Sequence, residues 1–242
     1  TDGLMSLPYT PALSARLNEL GWRVVQPLLS SSHTGYGASS LQKDSDELDM
    51  LLKYLSKSGM ITAVIIGHST GCQDAVWHAS KGKLRGILKA IVLQGPVSDR
   101  QFLETIDSTP KLVDEANKYI KEGRPNAFLH EDADYCEAGA AMSAYRFHSL
   151  ATRLGDDDMF SSDLTDAELS RLFADVSVPV LVACSMKDEY VPEHVAVKTL
   201  ADRLAAAFPE GQTVLCGGNH ALSDEGADTF IDAVESLLKS IK

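Results

Sequence analysis

Ile61-Thr62-Ala63-Val64-Ile65-Ile66-Gly67-His68-Ser69-Thr70-Gly71-Cys72 is the stretch that decides how this chain is read. A β-branched apolar run closes on Gly-x-Ser-x-Gly, and Gln73-Asp74-Ala75-Val76-Trp77-His78-Ala79 then continues in a helical pattern. Strand, Gly-x-Ser-x-Gly and helix, in that order, make a nucleophile elbow: a sharp turn that lifts a serine hydroxyl clear of the main chain. The turn strains the serine's own backbone. Side chains two residues before and after it are expected to collide with the flanking chain, which explains glycine at 67 and 71. The pentapeptide alone recurs by chance; strand and helix around it make Ser69 the candidate nucleophile.

The pattern extends in both directions. Thr10-Pro11 opens a helix as N-cap and first position, Leu13, Leu17 and Leu20 stripe it, and Gly21 ends it. Trp22 to Leu29 reads as a strand and Ser30 to Ser40 as a loop. Leu41 to Lys57 is an amphipathic helix, with Leu48, Leu51, Leu52 and Leu55 inward and Asp44, Asp46 and Glu47 outward. Further strands are expected at 61–66, Ile87 to Gln94, Val178 to Cys184 and Thr213 to Cys216, with helices from Glu193 to Phe208 and Asp224 to Ile241. Strands alternating with helices predict a mainly parallel sheet with helices on both faces, which together with the elbow makes an α/β-hydrolase fold. Residues 98–177 break the alternation with helix-like segments (Pro110 to Glu122, Ala140 to Leu150, Asp166 to Phe173). They are expected to be a helical cap inserted into a core of residues 1–97 and 178–242. Gly155-Asp156-Asp157-Asp158 and Phe160-Ser161-Ser162-Asp163 read as a loop leading into the next helix rather than a metal cluster, because no His stands at ligand spacing. A hydrolase sheet carries about three strands before its first helix. The third belongs between the strands at 22–29 and 61–66, and this chain begins in the loop after it, without an initiator Met. A piece of a longer protein, lacking its N-terminal strands, is the expectation.

Composition narrows the class. At 242 residues, one α/β domain is the simplest count, and no apolar run approaches the roughly 18 residues of a membrane span. Thr1-Asp2-Gly3 shows neither the charged nor the apolar region of a signal peptide. A formal charge of −12 argues against nucleic acid or an anionic membrane as partner. Cys72, Cys136, Cys184 and Cys216 are widely spaced without a CxxC pair, so reduced buried thiols and a cytoplasmic setting are expected. Cys184 and Cys216 end two expected strands and could lie side by side.

A serine hydroxyl needs an adjacent base, itself oriented by a carboxylate. In this fold acid and base follow the serine in chain order, from loops at the carboxyl ends of late strands. Asp188 lies just past Val180-Leu181-Val182-Ala183-Cys184, and His220 follows Cys216-Gly217-Gly218-Asn219. Ser69, Asp188 and His220 are therefore the candidate triad, with the backbone N–H of Thr70 as one oxyanion donor and a second from the loop near Asp2-Gly3. Asp99, one strand earlier, is the alternative acid. Glu189 is expected to face solvent, and His33, His68, His78 and His194 to be structural or surface residues. His130 and His148 belong to the cap. No metal or organic cofactor is required.

Several blocks carry a closer likeness. Asp2-Gly3-Leu4, Leu28-Leu29-Ser30-Ser31-Ser32, Gly67-His68-Ser69-Thr70-Gly71-Cys72-Gln73-Asp74, Gln94-Gly95-Pro96-Val97-Ser98-Asp99-Arg100 and Asp156-Asp157-Asp158-Met159-Phe160-Ser161-Ser162-Asp163-Leu164 span nearly the whole chain. Together they resemble an α/β-hydrolase family catalogued as a domain of unknown function. The resemblance implies an ester hydrolase, since some fungal relatives act on fusarinine-type siderophores, and a hydroxamate ester as one candidate substrate. Its Ser, Asp and His fall on Ser69, Asp188 and His220. Thioester, amide or acyl-transfer chemistry runs on the same triad, and a ligand-binding, receptor-like module with little turnover is the rival from another class. Dehalogenase or epoxide hydrolase chemistry is disfavoured, because it places a carboxylate where Ser69 stands.

Overall fold

The computed structural model describes residues 7–60, 62–130 and 140–241. Four strands, β1 (Ala63–His68), β2 (Leu88–Gln94), β3 (Val180–Ser185) and β4 (Gly211–Cys216), form a wholly parallel sheet in the order β1-β2-β3-β4. Parallel neighbours cannot be joined by a tight turn, so each connection crosses a face of the sheet. Helix α3 (Thr70–Lys81) joins β1 to β2, and α8 (Val197–Ala207) joins β3 to β4. Two further helices, α1 (Thr10–Glu19) and α9 (Ala227–Ser240), pack on each other. Helix α2 (Leu41–Lys57) packs on α3.

Strand alternation distributes the core. Ile91 and Leu93 of β2, with Val180 and Val182 of β3, face the cluster that includes α3 and α8. Ala90 and Val92, with Leu181 and Ala183, face the cluster of α1 and α9. Period-two side chains on strands covered from both faces explain why these runs read as continuously apolar. In register, His68 stands beside Gln94, Gln94 beside Ala183, and Ser185 beside Cys216. The strands thus end together, and the loops that follow them emerge at one edge, where open α/β sheets place their sites.

Several expectations change. Residues 22–29 form no strand: they join no ladder, and Val25 and Leu28 are about half exposed (49% and 57%). A strand exists only through a hydrogen-bonded neighbour. Here Trp22, Arg23, Val25, Pro27 and Leu29 line, together with β1, a groove of about 910 Å³. Asp44 is buried rather than outward, accepting the hydroxyl of Ser39 at 3.1 Å. Within the expected loop at 30–40, His33–Ala38 forms a 3-10 turn. Tyr9, not Thr10, is the N-cap of α1. Helix α8 starts at Val197, four residues after Glu193, because Val195 N–H closes a turn onto the Pro192 carbonyl (2.9 Å). Cys184 and Cys216 lie one register position apart on neighbouring strands and, like Cys72, are free. Ile61 and Cys136 lie outside the described residues.

Residues 98–177 hold α4 (Asp99–Leu103), α5 (Thr109–Lys121), α6 (Ala144–Ala151) and α7 (Asp166–Leu172). Leu103, Leu112, Phe147 and Leu150 gather with Tyr36 in a cluster of their own. Phe160, Leu169 and Phe173 instead join the sheet cluster, where Phe173 stacks on Phe208 at 4.1 Å. Buried ion pairs tie the segments together: Arg146 to Asp157 (2.7 Å) and Arg100 to Asp158 (3.1 Å). Asp157, Asp158 and Asp163 are therefore matched by guanidinium groups, Asp156 accepts the Tyr145 hydroxyl, and a capping box of Thr165 and Glu168 starts α7. Among the described residues no group of three or more His, Cys, Asp or Glu is placed to hold a metal ion. None of their helices is long and apolar enough to cross a membrane.

Candidate active site

Ser69 sits between β1 and α3 at φ 53°, ψ −127°, a conformation that L-residues avoid unless the surrounding structure enforces it. Two hydrogen bonds enforce it. Ser69 N–H donates to the Gln94 carbonyl (3.1 Å), and Cys72 N–H donates to the Ser69 carbonyl (2.8 Å). The steric expectation holds on one side: a Cβ on Gly67 would lie 2.1 Å from the Gly71 carbonyl oxygen. It fails on the other, since a Cβ on Gly71 would meet nothing within 4 Å, because Gly71 borders the groove beside β1.

Asp188 and His220 come together from the loops after β3 and β4. His220 Nδ1 is 2.7 Å from Asp188 Oδ2, and both residues are buried. An ionised carboxylate only accepts, so Nδ1 carries the proton and Nε2 presents its lone pair. Asp188 Oδ1 also accepts the Tyr190 N–H (3.1 Å), which closes its turn. Nε2 is buried without a hydrogen-bond partner among the described residues. Ser69, Thr70 and His220 line one cavity of about 580 Å³, together with Tyr190 and His68. No hydrogen bond joins the Ser69 hydroxyl to His220 Nε2 in this structure.

Asp99 Oδ2 accepts the Gln73 side-chain amide at 2.7 Å, while the carboxylate joined to His220 is that of Asp188. Glu189 is exposed as expected, yet it accepts the His220 N–H at 2.8 Å and so anchors the histidine loop. His68 is not a bystander. Its ring lies 4.7 Å from that of His220, and its Nδ1 is 2.5 Å from Gln94 Oε1. A histidine directly before the elbow serine emerges at the same sheet edge, a signal the motif already contained. Gly95 was also missed: at φ +62°, its Cβ would stand 3.0 Å from the His220 ring. His78 is buried on α3 against Ser45 (3.0 Å), where desolvation lowers its affinity for a proton. The thiols beneath the elbow offer no rival nucleophile. Burial pushes Cys72 well above the usual thiol range and Cys184 up to about 12, so both stay protonated.

A family model described as "Protein of unknown function (DUF1749)" matches residues 1–241. The chain belongs to this family. It is similar to the UPF0613 protein of Schizosaccharomyces pombe, 30% identical over 208 residues, a match covering 78% of this chain and 66% of that protein. Fusarinine C esterase sidJ of Aspergillus fumigatus is 26% identical over 288 residues, covering 93% of this chain and 81% of the esterase. Among solved structures, siderophore hydrolase EstB from Aspergillus fumigatus superposes with a TM-score of 0.78 at 24% identity, over 99% of this chain and 87% of that one. The DUF1749 chain accordingly has an α/β-hydrolase fold, with a parallel sheet at its centre.

Proposed function

We propose that this DUF1749 protein is a serine ester hydrolase working through an acyl-enzyme on Ser69. The observation that carries the reading is the 2.7 Å His220–Asp188 pair, whose imidazole shares a cavity with a serine held at positive φ. His220 Nε2 takes the Ser69 hydroxyl proton as the oxygen attacks the ester carbonyl. Asp188 keeps the tautomer and stabilises the imidazolium. The tetrahedral oxyanion rests on the Thr70 N–H, at the N-terminus of α3, where the helix dipole adds to the hydrogen bond. Collapse expels the alcohol with the proton from His220; water, activated by the same imidazole, then releases the acid.

Relatives named as a fusarinine C esterase and a siderophore hydrolase favour a siderophore-type ester as candidate substrate. Residues 98–177 serve as the cap over a core of 1–97 and 178–242, a division favoured by the separate apolar cluster around Phe147. Fluorophosphonate labelling followed by peptide mapping tests the assignment. The expected result is one adduct, on Ser69, absent from Ser69→Ala; an adduct elsewhere, or none on folded protein, contradicts it.

A further inference from the structure

Tyr190 touches three parts of the molecule: Asp188, His220 and the 98–177 segment. Its N–H donates to Asp188 Oδ1 at 3.1 Å, and the next N–H, that of Val191, donates to the Asp188 backbone carbonyl at 3.2 Å. The turn so closed fixes Tyr190 relative to the carboxylate. Its ring meets the His220 imidazole edge to face, with centroids 4.8 Å apart and planes at 65°. It makes a second such contact, at 5.2 Å and 64°, with Phe102 of α4. Both separations fall in the range of attractive edge-to-face pairs. Helix α4 is a firm support for the second one. Arg100, two residues before Phe102, is buried and ion-paired with Asp158 (3.1 Å) and Glu104 (2.7 Å), and Gln101 exchanges two hydrogen bonds with Ser162 (2.7 and 2.8 Å).

The imidazole needs a support of this kind. The His220 backbone is held on both sides, its N–H by Glu189 (2.8 Å) and its carbonyl by Gln94 (3.0 Å). Among the described residues the ring itself has one hydrogen bond, from Nδ1 to Asp188. A ring held at one atom can still pivot about that bond and carry Nε2 away from Ser69; rings packed against it remove that freedom. His68 abuts the imidazole as well (4.7 Å), but from β1, whereas Tyr190 comes from the loop of the acid itself. We propose that Tyr190 is a positioning residue for His220, and that Phe102 makes the 98–177 segment part of that support. Tyr190 holds the acid with its backbone and the base with its ring, so the pair is kept as one body. A displacement of α4 then reaches the base through two ring contacts. The proposal rests on the esterase reading for the role of the base, while the placement of the imidazole can be measured without turnover.

The test is steady-state hydrolysis of p-nitrophenyl acetate by Tyr190→Leu, Tyr190→Phe and Phe102→Ala, each shown folded by its melting curve, beside the proton NMR resonance of His220 Nδ1–H. Tyr190→Leu is expected to lose about 10–100-fold in kcat with KM little changed, as a small misplacement of a catalytic group does. The same variant broadens the Nδ1–H resonance. Tyr190→Phe restores the ring and recovers most of both. Phe102→Ala is expected to lose about 2–10-fold in kcat, the scale of one aromatic pair. In the Tyr190→Leu background it adds nothing, because its effect passes through that ring. A rise in KM at unchanged kcat would make Tyr190 a wall for substrate and overturn the proposal. So would a Tyr190→Phe variant as impaired as Tyr190→Leu, or a resonance as sharp in Tyr190→Leu as in wild type. Additive losses from Phe102→Ala would overturn the link through α4. A wild-type chain that hydrolyses no ester would count against the esterase reading, and the resonance would still judge the role of the ring.

Discussion

Gln94 donates from its side-chain Nε2 to the backbone carbonyl of His220 at 3.0 Å. Its own backbone carbonyl accepts the Ser69 N–H at 3.1 Å, so one residue at the end of β2 holds both the elbow and the histidine loop. Its Oε1 is engaged as well, by Tyr9 (3.0 Å) and His68 (2.5 Å). Gln94→Leu keeps the backbone bond and orphans the His220 carbonyl, a loss of about 1–3 kcal/mol. The expected outcome is a fall of roughly 10–100-fold in kcat with KM little changed. Steady-state kinetics on a p-nitrophenyl ester decide it, and an unchanged kcat would show that the histidine loop is held by other means.

Asp188 and Asp99 separate cleanly under substitution. Asp188→Asn leaves the imidazole with the wrong tautomer, a change that costs a serine protease about 10⁴ in kcat. A loss of that order is expected here. Asp99→Asn, which alters the hydrogen bond with Gln73, is expected to stay far closer to wild type. The reverse ranking would move the acid to the loop after β2.

The Arg146–Asp157 pair is a stability device as much as a wall of the cavity. Arg146→Met leaves the Asp157 carboxylate buried and unmatched, which costs about 3–5 kcal/mol. For a chain of this size, thermal melting should drop by roughly 6–20 °C. The double variant Arg146→Met/Asp157→Leu should recover most of it, since replacing both partners with apolar groups removes the orphan charge. If the single variant melts like wild type, the pair carries little stability.

Asp74 predicts a pH-dependent gain. A carboxyl whose folded value lies above its unfolded one contributes fully below the unfolded value, about 3.9, and loses that contribution as pH rises through the folded value. Asparagine has no proton to lose. Asp74→Asn should therefore match wild type in urea midpoint near pH 4 and exceed it at pH 7.5. A variant that is less stable at pH 7.5 would mean that Asp74 is charged and satisfied in the folded chain.

Much of this was legible in the sequence. β1 to β4 were marked by short apolar runs, because strands covered on both faces need no polar alternation. Spacing alone pointed to Ser69, Asp188 and His220, and the structure joins Asp188 to His220 and places Ser69 in the same cavity as the imidazole, since parallel strands deliver their ends to one edge. What the pattern missed depends on distant partners. Residues 22–29 carry a strand's composition, but a ladder is a property of two segments. Asp44 falls on the polar side of a helical wheel, which cannot register Ser39 packing onto it from the preceding turn. Glu189 looked like a solvent residue and is exposed; only the fold brings the His220 N–H to it.

Pre-steady-state hydrolysis of a short p-nitrophenyl ester tests the central claim most directly. An acyl-enzyme on Ser69 predicts a burst of p-nitrophenol stoichiometric with protein, followed by a slower linear phase, with both lost in Ser69→Ala. A burst that persists in Ser69→Ala, or folded wild-type protein that binds the ester and releases no p-nitrophenol, would contradict it.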